Sequence, residues 1–286
     1  MLVLLSAATN AVALVLLRKA TEAEEDRAKF SLRLVWLLVR RRPIWGAGIA
    51  TIAVGFALQA LALANGPLSV VQLVILMELP FTLLLAWPVL GGRLRAGEWS
   101  AIAAMTVGLV VVLFSLSPNG GNPFAPNLPT WLIGLALTTA LVIVLLAVGQ
   151  RSGPAARTAL FGVAAGAASG LIAVLVKAVV VAFDGGFLAV IGTWQSWVLI
   201  AAAVGGFLLL QNALQAGRLA ASQPGITLAN PAVALVWGIG LFHEHTRTGW
   251  WLVGAGLGAA LLASGAALLS RSPLLGAHQQ GSEQDP

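Results

Sequence analysis

The chain has 286 residues, of which 59% are hydrophobic and only 9% charged, and its formal net charge at pH 7 is +6. A soluble protein needs far more charge to cover its surface, so this composition excludes a soluble globular protein and predicts a polytopic membrane protein. The basic residues lie at the ends of apolar runs, where they set topology, so the net positive charge does not indicate nucleic-acid binding.

Nine apolar runs are long enough to cross a hydrocarbon core about 30 Å thick as helices. The sequence therefore predicts an all-α fold with nine transmembrane helices. The first run is not a cleaved signal peptide, because its basic pair, Arg18-Lys19, follows the apolar stretch instead of preceding it. The nine runs are 2–18, 44–64, 68–90, 98–117, 130–149, 157–183, 194–216, 219–242 and 249–270.

The two longest connections differ in character. Segment 18–43 is strongly basic, and its apolar residues from Phe30 to Leu38 recur at helical spacing. That pattern fits a helix on a membrane surface, bound to anionic lipids, and fits a solvated cytosolic loop equally well. Connection 117–129 is rich in proline and glycine and carries no charge, which predicts a turn-rich external loop. The polar tail 271–286 is predicted to be disordered.

The distribution of lysine and arginine predicts the orientation of the chain. All of them except Lys177 and Arg247 lie in alternate connections on one side, or in the C-terminal tail. Because positive residues are retained on the cytoplasmic side, we expect an external N-terminus and a cytoplasmic C-terminus in the cell membrane.

The sequence repeats itself at an offset of 151 residues, without a gap, from the second run to the start of the fourth. Chance similarity of Ala/Leu/Gly-rich helices is the alternative, but it rarely aligns Gln, Pro and Trp. Residues 1–150 then form a first repeat of five helices and 151–270 a second of four. Because five is odd, the second repeat should insert upside down, as in alternating-access transporters. The aligned pairs include Gly66 with Gly217, Gln72 with Gln223, Pro80 with Pro231 and Trp99 with Trp250.

Two segments carry a resemblance to a known family: 62–72 (Ala-x-Ala-Asn-Gly-Pro-Leu-Ser-Val-Val-Gln) and 91–99 (Gly-Gly-Arg-Leu-Arg-x-x-Glu-Trp). With their echoes in the second repeat, they resemble the drug/metabolite transporter superfamily, whose EamA-like members duplicate a five-helix unit. Nine helices with an external N-terminus resemble the NIPA-type branch more than they resemble the usual ten-helix form. The resemblance implies transport, and for that branch magnesium transport.

Glu78 is the main candidate site residue. It lies about ten residues into its run, roughly 15 Å deep by helical rise. A carboxylate at that depth is costly and by default marks a functional site, where it could bind a proton or a substrate. Thr82 lies one turn away, and Pro80 frees the carbonyl of Leu76 and is a predicted hinge. The alternative is a structural ion pair with Lys177.

The mirrored run presents a second polar face. Gln223, Thr227 and Asn230 recur at helical spacing, and Pro231 is the second predicted hinge. We expect Asn230 and Glu78 to project into one cavity from opposite repeats, while interhelical hydrogen bonding remains the alternative. Other amides that could line such a cavity are Gln211, Gln215 and Gln59.

Several other features favour structural roles. Gln72 lies about 120° around the helix from Glu78, which predicts a role in the fold or in a gate. Two glycine series predict close helix packing, namely 162, 166, 170 and 254, 258, 265. Tryptophans near run ends, such as Trp131, Trp194 and Trp250, are predicted to anchor helices at the membrane interface.

The triplet His243-Glu244-His245 is the strongest metal candidate, but neighbours at this spacing do not face one way on a helix. We therefore predict no metal site and no cofactor. The chain has no cysteine, which removes disulfides and cysteine–zinc sites.

Three functions remain open. The first is a secondary transporter for a small solute, possibly coupled to protons through Glu78, and the second is a NIPA-type transporter of magnesium or another divalent cation. The third is a lipid-binding scaffold that transports nothing. An enzyme is not expected, because no buried Ser/His or paired-acid group is present in the runs. The sequence leaves open whether two copies form a homodimer.

Overall fold

The computed structural model describes residues 1–22, 43–90, 94–215 and 219–269, with the side chains of 1–16, 46–89, 94–213 and 222–269. Most of the basic segment 18–43, the tail 271–286 and residues 217–218 of the second repeat lie outside the described residues. The predictions made for them therefore stay predictions.

Helices form at all nine apolar runs. Within the described chain, seven segments are long and apolar enough to cross a membrane, whereas the apolar part of the first helix, Leu2–Leu16, is shorter. The fold is thus helical, and its long apolar helices are compatible with a membrane protein. The helices are α1 (Leu2–Glu22), α2 (Pro43–Asn65), α3 (Leu68–Val74), α4 (Glu78–Leu90), α5 (Ala96–Leu116), α6 (Leu128–Gln150), α7 (Pro154–Ala182), α8 (Phe187–Gly192), α9 (Trp194–Gln215), α10 (Leu219–Gly240) and α11 (Trp251–Leu269).

The run that contains Glu78 is broken into two helices. A 3₁₀ turn, Ile75–Met77, separates α3 from α4. Pro80 explains the position of the break, because its ring clashes with the carbonyl of Leu76 and provides no N–H for it. The equivalent helix α10 contains Pro224 and Pro231 but stays α-helical throughout. The two predicted proline hinges therefore differ, and only the first interrupts its helix.

Helices α5 and α11, which are equivalent in the predicted repeat, pack against each other in opposite directions. A Cβ added to Gly108 would lie 2.7 Å from Gly258 O and from Leu262 N, and one added to Gly265 would lie 2.8 Å from Ala101 O. The numbers of the contacting residues thus increase along α5 as they decrease along α11, so the two helices are antiparallel. The predicted packing role of the second glycine series is confirmed.

Helices α7 and α10 pack in the same direction through the other glycine series. A Cβ on Gly166 would lie 2.6 Å from Ile226 O, and one on Gly170 would lie 2.7 Å from Asn230 O, while Gly162 lies against the backbone of Ser222. The backbones approach this closely because the glycines have no side chain. This predicted packing face is also confirmed.

One end of the bundle is formed by residues 66–67, 117–127 and 241–250, and is called the Pro67 end below. Two short strands, β1 (Asn119–Gly120) and β2 (Glu244–His245), pair antiparallel there. The backbone of Asn122 also donates to Phe242 O at 2.9 Å. The sequence predicts turns in loop 117–129 but not this pairing, because two-residue strands have no pattern of their own.

A cluster of aromatic side chains packs at the Pro67 end. The ring of Trp131 lies 5.3 Å from Trp194, 5.1 Å from Trp237 and 5.5 Å from Phe242, measured between centroids. Trp131 is only 2% exposed, and its Nε1 donates to Pro123 O. The predicted role of Trp131 as an interface anchor is therefore wrong. Its ring packs inside the protein because three other rings surround it.

Candidate functional site

The carboxylate of Glu78 lies at the start of α4, directly after the 3₁₀ turn, and is half-buried. Its Oε2 accepts a hydrogen bond of 3.2 Å from Asn10 Nδ2 on α1. Thr82, the predicted neighbour of Glu78, does not donate its hydrogen bond to the carboxylate. Its hydroxyl donates instead to the backbone carbonyl oxygen of Glu78, at 2.7 Å. Such bonding to the preceding turn is common for threonine in helices.

The amide of Asn10 is held in place from the opposite side by α2. Gly55 lies directly against it, and a Cβ at Gly55 would overlap Asn10 Oδ1. The carbonyl of Gly55 in turn accepts a hydrogen bond of 2.8 Å from the buried Ser6 Oγ. Helices α1 and α2 are thus in contact at this level, and their contact directs Asn10 toward Glu78.

A pocket of about 270 Å³ opens beside this pair. Its lining combines a carboxylate and two carboxamides with apolar side chains from α1 and α2. A carboxylate can bind a proton or a cationic group, the carboxamides can donate and accept hydrogen bonds, and the apolar part suits a carbon skeleton. The lining residues are Asn10, Leu14, Ile52, Phe56, Gln59 and Glu78.

The contact between Gly55 and Asn10 gives a testable prediction. Gly55→Ala should destabilise the protein by about 1–3 kcal/mol, because the new methyl group overlaps the Asn10 amide. Asn10→Ala in the same chain should recover most of that loss, since it removes the overlapping atoms. Thermal unfolding of the two single variants and the double variant measures this coupling. An additive cycle would show that the two residues do not meet.

The Lys177 side chain does not pair with Glu78. Its Nζ donates to Leu63 O at 3.2 Å and to Gly66 O at 2.6 Å, and the residue is 3% exposed. The alternative interpretation of Glu78 as one half of an ion pair with Lys177 is therefore wrong. Lys177 instead satisfies carbonyls at the C-terminal end of α2, which a cation stabilises.

Glu244, in the triplet considered for a metal, caps a helix. Its Oε1 accepts from Leu68 N at 2.6 Å and its Oε2 from Ser69 N at 3.3 Å, at the N-terminus of α3. The carboxylate is buried, whereas His243 and His245 are exposed. The three side chains are therefore not directed to one point.

The predicted polar residues of the second repeat are not among the described lining residues of the Glu78 pocket. Gln223, Thr227 and Asn230 are half-buried on α10 and are absent from the described lining of that pocket. Gln211 is half-buried on α9, and the side chain of Gln215 lies outside the described part of the chain. The structure thus places Asn10 and Gln59, not Asn230, beside Glu78.

Some buried polar atoms have no partner among the described residues. They are Ser69 Oγ, both amide atoms of Gln72, and Asn230 Oδ1. All of them lie on α3 and α10, which pack against each other, with Gly238 beside Ser69 Oγ.

Sequence reasoning missed Asn10, although a signal was present. Asn10 is an amide near the middle of the first apolar run, where a polar side chain needs a partner. Its partner could not be identified, because helix neighbours are set by packing and not by position in the chain.

Comparison with known proteins gives one family relationship. A curated relative, an uncharacterized protein of Corynebacterium glutamicum, is 32% identical to this chain over 237 residues, which is 80% of each chain. Identity of this level over most of both chains means that they belong to one family. No protein-family model and no solved structure matches the chain.

Proposed function

We propose that this chain, which belongs to the same family as the Corynebacterium glutamicum protein, is a secondary-active transporter of the cell membrane. It moves a small organic solute by alternating access, and Glu78 binds the proton or the solute. The observation that carries this proposal is a carboxylate within an apolar span, hydrogen-bonded to Asn10 and facing a pocket. An ionisable group at such a position is costly unless it serves a function.

The proposal includes nine transmembrane helices in an inverted repeat of five and four, with an external N-terminus. The antiparallel packing of α5 on α11 supports this arrangement. Two repeats inserted in the same direction would give parallel equivalents, so opposite directions are what inversion requires. The resemblance to EamA-like transporters agrees with this architecture. The Pro67 end is then the external end.

The composition of the pocket favours an organic solute over a bare divalent cation. Magnesium binds hard oxygen ligands in near-octahedral geometry, usually with more than one carboxylate or with several retained waters. The described lining provides the Glu78 carboxylate and the amides of Asn10 and Gln59, beside apolar side chains including Phe56. An apolar surface contributes nothing to a hydrated ion but stabilises a carbon skeleton.

Transport by reconstituted protein tests the proposal. Solutes that raise the thermal stability of the purified protein at two pH values would first be identified, using its ten tryptophans as the fluorescent reporter. Liposomes with a pH-sensitive dye inside should then show uptake of such a solute together with dissipation of an imposed pH gradient. Protein that moves no stabilising solute under any gradient would contradict the proposal and favour a lipid-binding scaffold.

Magnesium flux separates the proposal from its nearest alternative. We expect liposomes that contain the protein and a magnesium-sensitive dye to take up Mg²⁺ no faster than empty liposomes. The physical reason is that the described pocket has a single carboxylate. Protein-dependent Mg²⁺ entry without a proton gradient would instead support the NIPA-type function.

A further inference from the structure

We propose that α3 (Leu68–Val74) is the gate that closes the Pro67 end, and that Glu244 and Lys177 form its latch. The inference rests on the proposed function, because a gate has a role only in a protein that passes a solute. It assigns to these two buried charges a task separate from binding at Glu78.

The latch holds the connection between α2 and α3 from both sides. Lys177 Nζ donates to Leu63 O and Gly66 O, before Pro67, while the Glu244 carboxylate accepts from the backbone N–H groups of Leu68 and Ser69, after it. A cation at the end of one helix and an anion at the start of the next match both helix dipoles. Charge-assisted hydrogen bonds of this kind are stronger than neutral ones.

The seat of Glu244 is shaped to receive its side chain. A Cβ on Gly238 would lie 2.6 Å from Glu244 Oε2, and one on Gly121 would lie 2.5 Å from Glu244 Cγ. Strand pairing of Glu244 with Gly120 fixes the backbone that carries the carboxylate. The latch therefore links α3 to the loop that follows α10, which belongs to the other predicted repeat.

The closed position of α3 has a cost that opposes the latch. Ser69 and Gln72 are both fully buried, and Ser69 Oγ and the two amide atoms of Gln72 have no hydrogen-bond partner among the described residues. Buried polar groups without partners destabilise the state that buries them. Movement of α3 away from α10 would let water reach these atoms. Opposing contributions of this kind are what a two-state element requires.

A hinge connects the gate to the candidate site. The 3₁₀ turn Ile75–Met77 ends α3, and Glu78 is the next residue. Short 3₁₀ stretches inside a helix commonly mark hinges. A rotation at this turn would change the direction of α3 relative to Glu78, so the latch and the pocket are joined through three residues.

Thiol labelling tests the gate, and the absence of native cysteine makes every introduced thiol unique. Gln72→Cys places a thiol at a fully buried position of α3 and should react slowly with a water-soluble maleimide in purified protein. Adding Glu244→Gln, or Lys177→Met, should raise the rate at least about tenfold, which corresponds to a shift of about 1.4 kcal/mol toward the open state. Asp184→Asn, an exposed acid, serves as the matched control and should leave the rate unchanged.

A second buried thiol separates gate opening from loss of structure. Met105 is fully buried in the contact between α5 and α11, away from the latch. A thiol introduced by Met105→Cys should therefore stay unreactive, with or without the latch substitutions. Faster labelling at position 72 alone supports the gate. An unchanged rate at position 72, or an equal rise at positions 72 and 105, would overturn it.

These rates need no solute, so the two proposals fail separately. Labelling as expected in a protein that moves no solute would contradict the proposed function. Solute transport together with latch variants that leave the rate at position 72 unchanged would contradict the gate alone.

Discussion

Glu78→Gln should reduce proton-coupled uptake of the solute by at least about tenfold, equivalent to about 1.4 kcal/mol in the barrier. Glutamine has nearly the same shape and can still accept the hydrogen bond that Asn10 donates to Glu78. It cannot bind and release a proton, so the loss should appear in the coupling and not in the fold. Uptake and internal pH, recorded in the same liposomes, measure the two effects together.

Two further variants control this result. Asn10→Ala removes the hydrogen bond but leaves the Glu78 carboxylate, so it should weaken uptake while coupling to protons persists. Asp184→Asn removes an exposed acid outside the pocket and should change nothing. Full proton-coupled uptake by Glu78→Gln, at native thermal stability, would remove Glu78 from the mechanism.

Gly258→Leu should lower the free energy of unfolding by about 2–4 kcal/mol, the largest loss of stability expected for any of these variants. A Cβ at this position would lie 2.9 Å from both Gly108 O and Val112 N, which are backbone atoms that cannot rotate away. Helices α5 and α11 would have to separate, which would break one of the contacts between the two predicted repeats. The midpoint of thermal unfolding in detergent, followed by tryptophan fluorescence, measures the change.

Gly256→Leu is the matched control, because it introduces the same side chain two residues earlier in the same helix. Gly256 is exposed, and a Cβ there would meet no atom within 4 Å in the described structure. The free energy of unfolding of Gly256→Leu should therefore stay within about 0.5 kcal/mol of that of the native protein. Equal losses for both variants would show that glycine at these positions acts through the helix itself and not through packing.

The helices and their glycine contacts could be predicted because both depend on local composition. An apolar run of about 20 residues has few alternatives to a helix in a membrane, and small residues at regular spacing have few uses besides close packing. Glu78 could be selected as a candidate for the same reason, since an acid within an apolar run stands out. The position of the break before Glu78 follows from Pro80, but its 3₁₀ geometry does not.

The partners of the charged side chains could not be predicted. The sequence places Glu244 at the end of an apolar run, in the triplet considered for a metal, and names no partner for it, whereas its carboxylate is buried against the N-terminus of α3. The sequence likewise places Lys177 and Glu78 at similar depths in the membrane, but it does not show how far apart their helices lie in the bundle. Such contacts depend on the tertiary arrangement of distant segments. The sequence repeat does not specify that arrangement.

The aromatic cluster has a consequence for spectroscopy. The ring centroids of Trp194 and Trp237 lie 5.3 Å and 5.1 Å from that of Trp131, in an asymmetric arrangement. Indole transitions held this close should couple, and the coupling should give the protein a strong circular dichroism signal in the near ultraviolet. The native chain thus carries its own optical sensor beside β2, and any opening of that end should be visible without an attached dye.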